Sequence, residues 1–437
     1  MAFYTLPPSG NAVPASFLLG AGNPDFPSAF AAHSGFPRDR ILFTDSGAAA
    51  LYVALRGLSA LHPGRRAVAL PAWCCPTVPQ TVIQAGLRPV LVDLDPSTLG
   101  YDTSALLDAK ASLASREDGL LAVVLVHFFG LAQPMPAGDW RGTAFLRDCA
   151  QDFDHRADPG DGTASFYSFG RGKALNAGHG GAICLPADER LASAFRAAWE
   201  ALPESPVNPM PKALAINLLS SPRLFWALSG LPFLGIGSCV WKAPLEYARL
   251  SARFDRLGTA CLEAYRQRRD FYRRLIARYR SLVWACDGDW LHSPGAGASH
   301  AELPTRFPIM VREKSLRQGL LREVNIRFGG VTRMYPQPLH RLSGAPGDIA
   351  PGSDFPGARR VAAEILTLPV TAELIGREDA FFDCLKGILE RHGALRHKPL
   401  RVETPQRAEA AAPSWVRLQF PKASLPGAMH TGPGLAA

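Results

Sequence analysis

Residues 165–175 read Ser-Phe-Tyr-Ser-Phe-Gly-Arg-Gly-Lys-Ala-Leu, and the glycine-rich run Gly178-His179-Gly180-Gly181 follows shortly afterwards. Two glycines precede Lys173 within three positions, which predicts a tight turn, because glycine adopts backbone conformations that other residues avoid. A lysine in a loop is usually only a solvated surface residue. Lys173 is therefore informative only in combination with the rest of the chain.

Asp148 is the first residue that gives Lys173 a chemical context. It closes an apolar run, Thr143–Leu146, that predicts a buried strand. An aspartate at a strand end is often a helix cap. A lysine on a glycine-flanked turn with a strand-end carboxylate is also what a pyridoxal phosphate (PLP) enzyme requires. The amine condenses with the cofactor aldehyde, and the carboxylate keeps the pyridine nitrogen protonated. PLP chemistry is thus a hypothesis for the remaining sequence to support.

Apolar runs alternate with helix-length segments through the first half of the chain. The runs are Ile41–Thr44, Arg66–Pro71, Pro89–Leu94, Leu120–Phe129 and Ala144–Leu146. Near-continuous apolar strands separated by helices predict an α/β fold with a largely parallel sheet covered on both faces. Ligands of such sheets bind at the carboxyl ends of the strands, and Asp148, His127 and the Ser46-Gly47 turn all fall there. Small residues after Ser46 also leave helix N–H groups for a phosphate.

The order and spacing of these motifs resemble the DegT/StrS family of sugar aminotransferases, which are PLP enzymes of fold type I. The resemblance spans roughly residues 38–395. It rests on Ser46–Leu51, Val126–Gly130, Asp148–Gln151, Ser168–Leu175, Gly178–Ala182, Tyr335–His340 and Ala363–Val370. It implies a large domain, with a mostly parallel central sheet flanked by helices, plus a smaller C-terminal α+β domain.

The resemblance also implies roles for individual residues. Lys173 bonds to the cofactor aldehyde and, once substrate has released it, moves a proton between the substrate carbon and the cofactor. Asp148 pairs with the pyridinium nitrogen, and Gln151 lies near the phenolic edge of the ring. The phosphate is held by the side chain or backbone of three further residues, Ser168, Gly47 and Ala48.

Three features depart from the family's pattern. The family usually has threonine at Ala48, so one phosphate-binding hydroxyl is missing. It usually has an aromatic residue that stacks on the pyridine ring where this chain has Cys75. Trp73, two positions earlier, or Phe129 covers the ring instead, or nothing does. The family's Asn-Tyr-Arg motif, which reaches the phosphate across the dimer, is not visible near residues 241–244.

Composition and charge narrow the classes of partner. The net charge of +9 comes largely from residues 263–280, where apolar positions recur at helical spacing, so we expect the arginines to form a solvated face. Attraction of a nucleotide diphosphate or an acidic membrane surface is the alternative. No nucleic-acid-binding module is recognisable.

Residues 224–241 carry no charge, but glycine and proline interrupt the segment. This pattern favours burial at an interface over a membrane span. An interfacial membrane contact remains open.

The chain of 437 residues divides by composition into four parts. These are an N-terminal arm (1–37), a PLP-binding large domain (38–240), a small domain (241–397) and a tail without periodicity that we expect to be disordered (398–437). The small domain is predicted to contain a long helix over 250–279, an α-to-β unit over 315–326 and a final helix over 379–392.

Eight irregularly spaced cysteines and no secretory signal favour a cytoplasmic protein with reduced thiols. No metal site is predicted, since Cys74 and Cys75 lack the spacing of a zinc site.

The sequence therefore predicts a cytoplasmic, homodimeric PLP-dependent aminotransferase with its active site at the subunit interface. It would move an amino group, from glutamate, to a keto-sugar attached to a nucleotide, in surface polysaccharide or secondary-metabolite biosynthesis. A branch of the family with histidine at the lysine position dehydrates instead, so Lys173 argues for transamination. Three alternatives remain open: a regulatory PLP-binding protein without turnover, a PLP-dependent lyase or dehydratase, and a membrane-associated scaffold.

Overall fold

Seven strands form the central sheet of the computed structural model. The strands, in chain order, are β1 (Ile41–Thr44), β2 (Arg65–Pro71), β3 (Arg88–Val92), β4 (Gly119–Val126), β5 (Ala144–Asp148), β6 (Ala164–Ser168) and β7 (Gly181–Cys184). Their order across the sheet is β1-β7-β6-β5-β4-β2-β3. The pairs from β6 to β3 are parallel, whereas β7 is antiparallel to both of its neighbours. The predicted, mostly parallel sheet is confirmed.

The structure describes residues 5–6, 12–14, 24–114, 119–156, 163–224, 239–241, 244–295, 303–346, 349 and 354–396. Residues Met1–Arg396 form one compact unit. The predicted tail and most of the uncharged segment 224–241 lie outside the described residues, as do positions 242 and 243 of the 241–244 neighbourhood. The predicted boundaries between the arm, the large domain and the small domain stay predictions.

Helices cover both faces of the sheet. The helices are α1 (Phe26–Ser34), α2 (Gly47–Leu61), α3 (Thr77–Gln84), α4 (Thr103–Ala114), α5 (Glu189–Glu200), α6 (Pro209–Ser220), α7 (Asp255–Trp284), α8 (Lys314–Gly319), α9 (Asn325–Arg327), α10 (Pro356–Glu364) and α11 (Glu378–Arg391). Successive residues of β4 show why both faces need cover. Val124 packs in one apolar cluster with Leu55 of α2, and Val123 packs in another with Leu106 of α4. A strand buried on both sides needs apolar residues at every position.

A second, antiparallel sheet lies towards the C-terminal end of the chain. It contains β8 (Leu291–His292), β9 (Arg306–Val311) and β10 (Ile365–Pro369), in the order β10-β9-β8. Phe307 of β9 packs in one cluster with Tyr279 of α7 and Phe381 of α11. The combination of a small sheet with helices agrees with the expected α+β character of this part of the chain.

Two predicted elements have different bounds in the structure, and a third has a different secondary structure. The long helix runs over Asp255–Trp284, because a 3₁₀ turn at Ala252–Phe254, capped by Ser251, precedes it. The strand predicted to reach Phe129 ends at Val126, and Phe129 has a φ of 54° that a strand cannot contain. The predicted α-to-β unit over 315–326 is wrong, since these residues are helical throughout, with a π-helical segment at Leu320–Val324.

The long helix α7 confirms the predicted division between a buried and a charged face. Its apolar positions are buried, namely Leu262, Tyr265, Tyr272, Leu275, Ile276 and Tyr279.

Across the described ranges, no helix combines the length and the apolar character needed to cross a membrane.

Candidate active site

Neighbouring strand ends bring the predicted site residues to one edge of the sheet. Asp148 is the last residue of β5, Ser168 is the last of β6, and His127 follows β4. The backbone N–H of His127 donates to the carbonyl of Asp148 over 3.0 Å. Because β4, β5 and β6 are parallel, their carboxyl ends open on the same side, which is where ligands of such sheets bind.

The start of α2 meets the end of β6 too closely for a side chain to stand between them. A Cβ placed on Gly47 would lie 2.7 Å from the Cβ of Ser168. Ser46 caps the helix by accepting from the N–H of Ala49 over 3.1 Å. The N–H groups of Gly47 and Ala48 belong to the first turn, where the helix itself offers no acceptor. These donors, the helix dipole and the Ser168 hydroxyl form a cradle suited to a phosphate.

Asp148 and Lys173 interact electrostatically beside this cradle. Asp148 is buried, and burial raises the pKa of its carboxyl, while the positive charge of Lys173 acts in the opposite direction. The N–H of Ala150 also donates to Asp148 Oδ1 over 2.9 Å, which favours the ionised form. Lys173 is half-buried and lies on the turn between β6 and β7, where Gly172 has a φ of 81°. The glycine-flanked turn thus places an amine near a buried carboxylate.

These residues fit PLP. The cofactor needs a phosphate site, a carboxylate for the pyridine nitrogen and an amine for the aldehyde. Gly47 and Ser168 would supply the first, Asp148 the second and Lys173 the third, and all of them lie at or just beyond strand ends on the same edge of the sheet.

Gln151 holds the turn that carries Phe129. Its Oε1 accepts from the backbone N–H of Phe129 over 3.2 Å, and its Nε2 lies 3.5 Å from the hydroxyl of Tyr335. Phe129 is buried, with its backbone in the left-handed region. Gln151 therefore fixes an unfavourable backbone conformation in place. Its predicted position at the phenolic edge of the cofactor stays a prediction.

Trp73 is a core residue, so the prediction that it could cover the cofactor ring does not fit the structure. Its side chain is 0% exposed, and its indole N–H donates to the carbonyl of Tyr335 over 2.8 Å. The rings of Phe128 and Tyr335 each lie with their centroids 5.1 Å away. Protein atoms enclose Trp73 completely and leave no face free for a ligand. Phe129 is equally enclosed, with 1% of its surface exposed, whereas Cys75 is half-buried, with its thiol 3.0 Å from Thr77 Oγ1.

Tyr335 begins one of the motifs that carry the resemblance, but no role was predicted for it. It is buried, and it contacts both Trp73 and Gln151. Burial is the main cause that raises the pKa of its hydroxyl well above the usual range, and the neighbouring Asp148 carboxyl acts in the same direction. The Tyr-Pro-Gln-Pro motif at residues 335–338 marked this position in the sequence, but nothing in it indicated contact with the β5 edge.

The sequence of this chain is similar to those of known proteins. The DegT/DnrJ/EryC1/StrS aminotransferase family matches residues 13–199, which include Gly47, Asp148 and Lys173. A pleiotropic regulatory protein of Geobacillus stearothermophilus is 24% identical over 338 residues, which are 75% of this chain and 79% of that protein. A dTDP-4-dehydro-2,3,6-trideoxy-D-glucose 4-aminotransferase of Saccharopolyspora spinosa is 33% identical over 112 residues, which are 26% of this chain and 27% of that one.

The fold is also that of solved structures. The sugar aminotransferase CalS13 of Micromonospora echinospora matches with a TM-score of 0.61 at 20% sequence identity. The match covers 88% of this chain and 100% of that one. Most of the described α/β architecture therefore has a counterpart in that structure.

Proposed function

We propose that this chain, which belongs to the DegT/DnrJ/EryC1/StrS family of PLP-dependent aminotransferases, moves an amino group from glutamate to a keto-sugar carried on a nucleotide. The match to this family confirms the resemblance seen in the sequence motifs and the PLP cofactor that it implies. The observation that carries the proposal is the meeting of Lys173, the buried Asp148 and the cradle at Gly47 and Ser168 at one edge of the sheet, where the charge of Lys173 acts on the Asp148 carboxyl.

The residues at this edge of the sheet would each carry out a different part of a transamination. PLP, when bound, supplies an electron sink for the carbanion formed at the substrate carbon. The first turn of α2 and the Ser168 hydroxyl would bind its phosphate, and the Asp148 carboxylate would hold the proton on the pyridine nitrogen. Lys173 Nζ would be the acid and base that moves a proton from the substrate carbon to the cofactor. Glutamate would give up its amino group to the cofactor and leave as 2-oxoglutarate before the keto-sugar binds.

Two features support a nucleotide-linked sugar as acceptor. The Saccharopolyspora relative is named for a dTDP-linked sugar, although its match covers only a quarter of this chain. The net charge of +9 favours the approach of a substrate that carries a diphosphate. The amino donor, the pathway and the cytoplasmic location are inferred from the family resemblance and the composition.

A homodimer is part of the proposal, and one surface helix supports it. Helix α6 exposes two leucines, with Leu214 47% and Leu218 64% exposed, and Val207 just before the helix is 39% exposed. Large apolar side chains grouped on one surface mark contact with a partner. Since α6 follows α5 in the half of the chain that carries the cofactor site, a second subunit covering it would lie on that half.

The absorbance of the purified protein tests the cofactor assignment. We expect a visible band from PLP bound to Lys173, which borohydride removes and which Lys173→Ala lacks. Incubation with glutamate and a panel of nucleotide-linked keto-sugars should yield 2-oxoglutarate and amino-sugar in equal amounts. A protein that binds PLP but releases ammonia or water instead would be a lyase or dehydratase, and the transaminase assignment would then be wrong.

A regulatory PLP-binding protein without turnover is the second candidate. The Geobacillus relative, which matches three quarters of this chain, carries the name of a regulatory protein, and Ala48 and Cys75 stand where the family usually has threonine and an aromatic residue. This candidate predicts the visible band with no amine transfer to any acceptor. Transfer to one keto-sugar of the panel excludes it.

A further inference from the structure

Side chains that bind metals meet immediately next to Asp148. One ligand atom from each of His127, Cys149 and His155 lies within 4.8 Å of the others. Cys149 Sγ is 3.9 Å from His127 Nδ1, and the two imidazole rings meet edge to face with their centroids 4.6 Å apart. Ligands about 2.0–2.3 Å from a tetrahedral Zn²⁺ stand roughly 3.5 Å from one another. Three candidate donors thus come together, and Nε2 is the nitrogen that His127 would offer, because Asp152 engages Nδ1.

Asp152 links the two histidines of this cluster. Its Oδ2 lies 2.8 Å from His127 Nδ1 and 3.6 Å from His155 Nδ1. A carboxylate that accepts from one ring nitrogen fixes the tautomer and the orientation of the imidazole, which is the usual support of a metal-binding histidine. Tyr167 holds the same turn, since its hydroxyl donates to the carbonyl of His155 over 2.8 Å.

His127 has a lone pair that the described residues do not satisfy. The side chain is 0% exposed, and its Nε2 has no hydrogen-bond partner among the described residues. In a neutral imidazole whose Nδ1–H donates to Asp152, the unprotonated nitrogen is Nε2. A buried acceptor without a donor is costly, and a bound cation would remove that cost.

A cation bound to the Cys149 thiol would displace its proton to solvent and bind the thiolate.

We propose that His127, Cys149 and His155 bind one divalent, thiol-seeking cation such as Zn²⁺, with Asp152 orienting the imidazoles. The ion would tie the end of β4 to the end of β5 and to the turn that follows. Because Cys149 comes directly after Asp148, such an ion would fix the strand end from which the Asp148 carboxylate extends. The site is structural and takes no substrate.

Cobalt substitution of the purified holoenzyme tests this site without any use of activity. Tetrahedral Co²⁺ bound to a thiolate absorbs at longer wavelengths than PLP. We expect one equivalent of Co²⁺ to give these bands and one equivalent of Zn²⁺ to abolish them. Cys149→Ser should lose the bands. Cys184→Ser is the matched control, since Cys184 is a free, fully buried thiol on β7 that is outside the cluster, and it should keep them.

The affinity for the metal separates ligands from supporting residues. We expect Asp152→Asn to weaken Co²⁺ binding roughly 10- to 100-fold, the usual effect of losing a carboxylate behind a metal-bound histidine. Should Cys149→Ser fail to fold, His155→Gln tests the same site at a position whose side chain is 18% exposed. Wild-type protein without the cobalt bands, or bands that survive both ligand substitutions, would overturn the proposal. Neither result bears on transamination.

Discussion

The phosphate cradle depends on the absence of a single side chain, that of Gly47. Its added Cβ would meet Ser168 Cβ at 2.7 Å, a distance that requires α2 or β6 to move. We expect Gly47→Ala to weaken PLP binding by tenfold or more, because relieving such overpacking costs about 1–3 kcal/mol. Titration of the apoprotein with PLP, followed by absorbance, measures the change. Gly64→Ala is the control, since nothing lies within 4 Å of its added Cβ. Equal PLP affinity in both variants would contradict the cradle.

Asp148 is the second residue whose role can be isolated. Asp148→Asn keeps the size of the side chain but removes the charge that stabilises a protonated pyridine nitrogen. We expect the visible band of bound PLP to persist and turnover to fall roughly 100-fold or more, as when an electrostatic partner of the reacting group is lost. Asp139→Asn, at an exposed position that pairs with Arg141, should leave turnover unchanged. Full activity of Asp148→Asn would show that another group holds that proton.

The residues of the site could be predicted from sequence where chemistry and local pattern coincide, as at Lys173 and Asp148. They could not be predicted where the contact joins distant parts of the chain. Trp73 looked like a ring-stacking residue because it lies near a family motif. Its role in the structure depends on a hydrogen bond to Tyr335, which is 262 positions away. No local pattern encodes such a partner. The same holds for the meeting of His127 with Asp152 and His155.

At the scale of elements, the contact between α7 and β10 offers a test of how the second sheet is held. The hydroxyl of Tyr279 on α7 is buried and donates to the carbonyl of Pro369 over 2.8 Å. We expect Tyr279→Phe to lower the free energy of unfolding by about 1 kcal/mol, the net value of one such hydrogen bond. Urea unfolding measures it. Trp284→Phe, on the same helix but 69% exposed, should change it by no more than about 0.5 kcal/mol. Equal effects would mean that the hydrogen bond contributes nothing.

Periodicity predicted the elements themselves better than their ends. The apolar stripe of α7 identified its buried face, because burial repeats with the helical turn. The helix was predicted to begin at residue 250, before its true first residue, Asp255. Over so short a stretch, the apolar spacing of the 3₁₀ turn at Ala252–Phe254 is the same as that of an α-helix. The end of β4 was missed for a related reason. Phe128 and Phe129 continue the apolar run, but the left-handed backbone of Phe129 depends on a hydrogen bond from its N–H to Gln151.

For the whole molecule, the sequence predicted the layered architecture because alternating apolar strands and helices have few stable arrangements. It did not predict that β7 would enter the sheet antiparallel between β1 and β6. The turn that carries Lys173 joins β6 directly to β7, and a connection without a crossover helix of this kind joins antiparallel neighbours. The short connection from β6 to β7 therefore explains both the position of Lys173 and the antiparallel direction of β7.

The proposed homodimer makes a prediction about helix α6. If a second subunit covers Leu218, an ionised side chain there must be buried without a partner, which costs several kcal/mol. We expect Leu218→Asp to dissociate the dimer, so that sedimentation velocity gives a monomer at concentrations where the wild type is dimeric. Leu107→Asp is the matched control, because Leu107 on α4 is 39% exposed and stands outside this surface. A dimer that tolerates Leu218→Asp as well as Leu107→Asp would place the subunit contact on another face of the molecule.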